Sequence, residues 1–295
     1  MTDQELFTMV GIRPEPAAPK KKVRRLKGFP WVSVILLAVI VLCCLFAELL
    51  MTRDPGYLDL THFDTAPNGE FLFGTDSLGR DIFSGIWYGG RISITIGFLA
   101  TVISTVIAVV YGSVSGIAPV WLDTLMMRFT EIFLSVPGLL LVLFLQAIMG
   151  AANVLTLSIV IGLTGWAGIA KVIRTEVRQI RNSEYVVASR CMGGKFFHIL
   201  RKHLAPNFIA SIMFMVVMNV RGAIGSESTL SFMGMGLPLE IISWGSMLSL
   251  AESALLSGSW WIILIPGAFL VTLLMCLTNI GNYLRKAANR KESNL

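Results

Sequence analysis

The chain has 295 residues, 55% of them hydrophobic and only 14% charged, with a mean hydropathy of +0.73. A soluble domain carries roughly 25% charged residues, so this composition cannot cover a water-exposed globule with polar groups. A soluble enzyme, a disordered protein and a disulfide scaffold are excluded, and an integral membrane protein is left.

Charge is segregated along the chain. Residues 28–47, 92–122, 132–170, 203–220 and 253–284 contain no Asp, Glu, Lys or Arg. A spanning helix needs about 20 mainly apolar residues. The run 132–170 is too long for one span and divides between Gly150 and Asn153. The pattern predicts six helices, at 30–51, 92–117, 129–149, 154–174, 209–231 and 260–282.

Residues 1–29 read as a flexible cytoplasmic tail. Pro14, Pro16 and Pro19 precede Lys20, Lys21, Lys22, Arg24, Arg25 and Lys27, a cluster suited to a lipid headgroup surface. The following apolar run leaves through Glu48 to Arg53 with no small-x-small cleavage site, so it is expected to be an uncleaved anchor. The positive-inside bias places the N-terminus in the cytoplasm. Residues 52–90 carry two basic and six acidic residues and read as outside. Residues 171–207 carry eight basic and two acidic residues, and the tail 284–295 four and one, so both read as inside. The net charge of +6 thus expresses membrane orientation, and no nucleic-acid partner is expected.

Within the outer segment, Gly74, Asp76, Gly79, Arg80 and Asp81 form an acidic, glycine-rich stretch. Asp76, Arg80, Asp81 and Arg91 are placed to form a charge network at the outer mouth, and the reading favoured is that they brace the loop and cap the second helix. The alternative is contact with an extracytoplasmic binding protein. Gly112 and Gly116 make a G-x-x-x-G face that permits close helix packing. Arg128 and Glu131 are expected to be an exposed pair.

The segment 171–207 is too long for a bare connection. Apolar and basic residues interleave there, predicting short amphipathic helices at 184–192 and 195–204 broken at Gly193-Gly194. Such a segment suits either lipid headgroups or a groove on a cytoplasmic partner. Arg221 lies inside the fifth predicted span with Glu227 six residues on. Intramembrane charges face protein or water. The two are read as lining a translocation path or, alternatively, as a structural salt bridge or a contact with a partner subunit. Cys43, Cys44, Cys191 and Cys276 have neither disulfide nor zinc spacing, and His62, His198 and His203 are scattered, so no metal or catalytic site is expected.

The order of residues in three blocks points to a family. Glu184-Tyr185-Val186-Val187-Ala188-Ser189-Arg190-Cys191-Met192-Gly193, then His203-Leu204-Ala205-Pro206, resembles the EAA loop of ABC importer permeases. It departs at Val187, Ser189, His203 and Ala205. Phe73 to Ser84, followed by Tyr88-Gly89-Gly90-Arg91-Ile92-Ser93, resembles the LGTDxLGRDxxS…YGxRxS signature of the C-type permease of dipeptide, oligopeptide and nickel importers. Glu227 to Gly236 and Ser243-Trp244-Gly245-Ser246-Met247-Leu248 are similar to its EAxLSFLGLG and SWGxML runs. Pro238 to Ile242 replaces the usual Pro-rich approach to that Trp.

This resemblance implies an all-α membrane protein with six transmembrane helices in the type I ABC importer permease (MetI-like) fold, with cytoplasmic coupling helices. It divides the chain into a tail (1–29), an anchor helix with extracytoplasmic loop (30–90), a permease domain (91–283) and a cytoplasmic tail (284–295). It implies that Glu184, Ala188, Ser189, Gly193, Phe196, Phe197 and Pro206 couple the chain to an ATPase. The implied partners are a homologous B-type permease, two cytoplasmic ATPase subunits and an extracytoplasmic solute-binding protein, in a bacterial cytoplasmic membrane. A Walker A loop is not present: near Gly193-Gly194-Lys195, Ser189 stands for the first Gly and Phe196 for the Ser/Thr. ATP and Mg are therefore expected on the partner subunits, and no cofactor on this chain. The implied function is import of short peptides. Import of nickel or a metal chelate, and an ion-coupled secondary transporter of another class, stand as alternatives.

Overall fold

The computed structural model describes residues 28–59, 61–181, 191–193 and 205–292. Among these there is no strand, only an isolated antiparallel bridge between Thr75 and Asp81. The helices in chain order are α1 (Trp31–Leu45), α2 (Ala47–Leu50), α3 (Ile82–Ile117), α4 (Val120–Ser135), α5 (Gly138–Met149), α6 (Val154–Thr164), α7 (Ala167–Ile180), α8 (Ala205–Phe232), α9 (Trp244–Leu248), α10 (Ala251–Ser257) and α11 (Trp261–Glu292).

Among the described residues, α3 and α11 are each long and apolar enough to cross a membrane. Two further apolar stretches reach that length only as bent pairs, α4 with α5 at 91° and α6 with α7 at 46°. The sequence reading differs here. It expected one straight helix over 129–149, whereas the chain breaks between Ser135 and Gly138. Pro137 has no amide hydrogen to continue α4 and caps α5 instead. It expected 154–174 to be continuous, whereas Gly165 and Trp166 interrupt it and α7 runs on to Ile180. The break between Gly150 and Asn153 is where the sequence placed it. Gly150 adopts φ 81°, and the Asn153 side chain accepts from the amides of Leu155 and Thr156, closing a capping box with Thr156. The second helix begins ten residues earlier than expected, because Asp81 supplies its N-cap by accepting from the Ser84 amide.

Helix α3 is the axis of the fold, packing against α1, α6, α7, α8 and α11. Its buried face is built from small residues, among them Ser93, Gly97, Ala100, Ser104, Ala108, Gly112 and Gly116. In lipid, helices gain little from apolar burial, and close backbone approach supplies the packing energy instead. The approach is closest along α7. A Cβ on Gly112 would sit 2.6 Å from the Ala170 carbonyl oxygen, and one on Gly116 2.6 Å from Val177 Cγ1. Ile169, Ala170, Ile173 and Val177 of α7 are buried against this seam. The outward faces are apolar: α1 exposes Val32, Ile35, Val39 and Leu42, and α3 exposes Phe98, Val102, Val106 and Val110. Exposed apolar area on this scale suits a hydrocarbon surrounding, not water.

Candidate functional site

Three polar constructions stand out against this apolar background. The first lies where α3, α4 and α7 meet, at the end of the molecule from which the 182–204 segment leaves. Asp123, in the first turn of α4, is 3% exposed. Its Oδ1 accepts from Ser115 Oγ of α3 at 2.7 Å and from Arg174 Nε of α7 at 2.8 Å. Its Oδ2 accepts from Arg174 Nη2 at 2.5 Å and Arg178 Nη1 at 2.9 Å. The two-point Arg174 contact fixes orientation as well as charge. One turn on, Arg181 Nη1 donates to the Gly116 carbonyl at 3.1 Å. That carbonyl belongs to the last turn of α3, where no intrahelical amide is available, and cations are favoured at such an end. Above this cluster, Tyr111 and Phe133 pack on Trp166 at 4.6 and 5.4 Å between ring centres, so the bend between α6 and α7 is wedged by α3 and α4. The sequence reading passed over Asp123, Arg174 and Arg178. A signal exists, since Arg174 and Arg178 are spaced i, i+4 and Asp123 is the first charge after the run 92–122.

The second construction surrounds Glu227 of α8, whose side chain is 0% exposed. Oε1 accepts from Ser243 Oγ at 2.7 Å and Ser231 Oγ at 3.0 Å, and Oε2 from Ser93 Oγ at 3.0 Å and Ser228 Oγ at 3.3 Å. Ser243 is also the N-cap of α9 and makes a capping box with Ser246. Trp244 beside it is fully buried and donates its Nε1 hydrogen to the Ile86 carbonyl at 2.9 Å. The Leu237 amide donates to Ser231 Oγ at 3.1 Å. Glu227 thus ties α8, α3 and the returning segment 233–248 together, which accounts for the Glu227–Gly236 and Ser243–Leu248 blocks in physical terms. The structure does not pair it with Arg221. Six residues on a helix leave two side chains about 120° apart around its axis, so the two point to different faces. Arg221 is exposed beside Gly222, on the side of α8 that also exposes Thr229. Neither the salt-bridge reading nor a place for Glu227 on an open path fits this geometry: Glu227 is enclosed by protein.

The third construction is the 52–81 loop. Asp81 Oδ2 accepts from the Ser84 amide at 3.0 Å, Ser84 Oγ at 2.6 Å and Thr52 Oγ1 at 2.9 Å, tying the loop's entry to the start of α3. Asp76 Oδ1 accepts from the amides of Leu78 at 2.9 Å and Arg80 at 2.8 Å. Burial pushes the Asp76 carboxyl above its ordinary range, against the pull of those two amides. Arg80 Nη1 donates to the Leu239 carbonyl at 2.8 Å, joining this loop to the 233–248 segment. Gly74 and Gly79 hold φ of 77° and 76°, values open to glycine and costly to other residues. The expected four-membered charge network is not formed. Arg91 leaves it to pair with Glu48 at 3.1 Å, with its guanidinium over the Tyr88 ring at 4.9 Å. Arg128 and Glu131 pair at 2.9 Å on the exposed face of α4.

Of the coupling residues, Glu184, Ala188, Ser189, Phe196 and Phe197 lie outside the described residues, as do all of the helix expected at 195–204 and residues 184–190 of the one expected at 184–192. Pro206 falls in the first turn of α8. Gly193 follows helical Cys191 in a turn, with φ 82° and open space where a Cβ would stand. Among the described residues, no group of three or more His, Cys, Asp and Glu is placed to hold a metal ion.

Comparison with known proteins agrees across sequence and fold. Residues 108–290 match the family described as binding-protein-dependent transport system inner membrane component. The dipeptide transport system permease protein DppC of Bacillus subtilis is 40% identical over 233 residues, covering 79% of this chain and 72% of the relative. The oligopeptide transport system permease protein OppC of the same organism is 36% identical, covering 88% and 85%. OppC of Haemophilus influenzae is 35% identical, covering 88% and 84%. A chain of the MetNI methionine ABC transporter, solved in inward-facing conformations, superposes with a TM-score of 0.53 at 17% identity, over 69% of this chain and 96% of that one, a likeness of fold alone. The small-residue axis, the bent helix pairs and the Glu227 hub are therefore the frame of a transport subunit rather than of an enzyme: the chain belongs to the binding-protein-dependent inner membrane components, as an ABC importer permease of the C type.

Proposed function

We propose that this chain forms half of the translocation pore of an ATP-driven importer of short peptides in a bacterial cytoplasmic membrane, with both termini in the cytoplasm. The observation that carries the cargo class is the set of relatives at 35–40% identity that are peptide permeases by name and align with most of this chain. A homologous B-type permease supplies the other half of the pore. Two ATPase subunits bind ATP and Mg below it, and a solute-binding protein delivers cargo from outside. The 184–206 segment, with Glu184, Ala188, Ser189, Gly193, Phe196, Phe197 and Pro206, docks in the ATPase subunits. ATP binding draws the two docked segments together and turns the pore outward, and hydrolysis resets it.

The charge asymmetry of the loops supports the orientation. The exposed face of α8 with Arg221, Gly222 and Thr229 supports a water-lined path on that side, because a guanidinium with no carboxylate partner among the described residues is costly in hydrocarbon. Membership of the family removes the ion-coupled reading, since its importers take their energy from ATP. The test is co-purification of the chain with its ATPases, B-type permease and binding protein, followed by a thermal-shift screen of that binding protein. Stabilisation by di- to pentapeptides is expected. Stabilisation by nickel or a nickel chelate and not by peptides would overturn the peptide assignment.

A further inference from the structure

We propose that Asp123 is a positioning residue for energy coupling: its buried contacts with Ser115, Arg174 and Arg178 make the ends of α3, α4 and α7 one rigid block, so that a displacement of the 182–204 segment moves the pore helices instead of dissipating in α7. The inference rests on the coupling role proposed above for that segment.

Three observations carry it. Among the described residues, Asp123 is the acidic group at hydrogen-bond distance from both Arg174 and Arg178, and it is 3% exposed, so the carboxylate end of each pair is shielded from solvent although the arginines are 25% and 33% exposed. The contacts join α4 to two other helices: Ser115 of the preceding α3 is 8 residues from Asp123, and Arg174 and Arg178 of α7 are 51 and 55 residues away. They also lie close to the point where α7 gives way to the 182–204 segment. Arg178 is in its last turn, and Arg181 just beyond it holds the end of α3 through the Gly116 carbonyl. A helix terminus frays unless it is tied down. Here the terminus that receives the push is clamped to the two helices next to it. The Gly112–Ala170 and Gly116–Val177 seam above the clamp leaves no room for α7 to slide on α3. A push at residue 182 is then transmitted as rigid-body rotation, the kind of motion packed helices support.

The test uses the full complex with its ATPases and binding protein, reconstituted in liposomes, and reads peptides transported per ATP hydrolysed. Wild type fixes the scale. If it shows no ATP-dependent uptake, the coupling reading itself fails, separately from this inference. Asp123→Asn keeps the shape and removes the charge. It is expected to lower peptides per ATP by about tenfold, within the range of a coupling energy between two sites, with ATP hydrolysis per assembled complex retained. Asp123→Glu is expected to restore most of the ratio. Arg178→Gln, which leaves the two-point Arg174 contact in place and so folds readily, is expected to give an intermediate loss. An unchanged ratio in Asp123→Asn, or uptake and hydrolysis falling together in all three variants in proportion to assembled complex, would overturn the proposal and reduce Asp123 to a structural ion pair.

Discussion

Replacing Glu227 by alanine is expected to destabilise the protein by about 3–5 kcal/mol, the cost of removing the shared acceptor of four buried hydroxyls. The geometry sets the value. Three of the four hydroxyls that donate to Glu227 are already committed as acceptors: Ser93 Oγ takes the Trp244 amide at 3.3 Å, Ser243 Oγ the Ser246 amide at 3.0 Å, and Ser231 Oγ the Leu237 amide at 3.1 Å. Their hydrogens have no other acceptor within the cluster. Each buried donor left unmet costs about 1–3 kcal/mol, and partial relaxation keeps the sum below the simple total. Glu227→Gln should cost less, about 2 kcal/mol, because its oxygen still accepts while its amide hydrogens face hydroxyls already oriented as donors. Thermal unfolding of the detergent-solubilised complex, followed by tryptophan fluorescence, reads both, since Trp244 is part of the cluster. If the alanine variant melts within about 0.5 kcal/mol of wild type, the hub reasoning is refuted.

Gly112→Leu should separate α3 from α7, because the added side chain meets a backbone carbonyl that cannot rotate away; a loss of about 1–3 kcal/mol or more and poor assembly on size-exclusion chromatography are expected. Trp244→Phe removes the indole donor to the Ile86 carbonyl and part of the ring volume, for a loss of about 1–2 kcal/mol in the same melt, whereas Trp244→Ala should cost about 3–5 kcal/mol. Gly193→Arg forces a side chain onto a backbone at φ 82°, a strain of about 1–2 kcal/mol. It should release the ATPase subunits or abolish uptake at matched membrane levels, while Val187→Glu should be tolerated. Normal uptake by Gly193→Arg with the ATPases still bound would remove this segment from the coupling role.

Apolar runs and charge asymmetry made the helical membrane class legible, because lipid imposes it directly on composition. Helix ends followed where a local signal exists, as at Asn153 with its capping box. They failed where a local signal is masked by its surroundings or the signal is tertiary. The α3 start at Ile82 follows from the local N-cap of Asp81 on the Ser84 amide, reinforced by Thr52, but residues 82–91 mix glycine, aromatics and Arg91 in a pattern that reads as loop. Glu227 looked like a path residue because a charge in an apolar run invites that reading. Its acceptor role is set by Ser93, 134 residues away, and Ser243, 16 residues on, and no periodicity connects them. Asp123 was missed for the same reason: taken alone it is an ordinary acid at a helix N-terminus, and only the packing of α7 on the Gly112–Gly116 face brings Arg174 and Arg178 to it. Arg221 and Glu227 separate because one helix, α8, carries both, and a six-residue spacing sets them about 120° apart around its axis.

The most direct test of the account is uptake of a labelled short peptide into proteoliposomes holding this chain, its B-type partner and both ATPases, with binding protein outside and ATP inside. The account predicts accumulation that requires ATP, requires the binding protein and vanishes when this chain is left out. Uptake that proceeds without ATP, or that is unchanged in the absence of this chain, would contradict it.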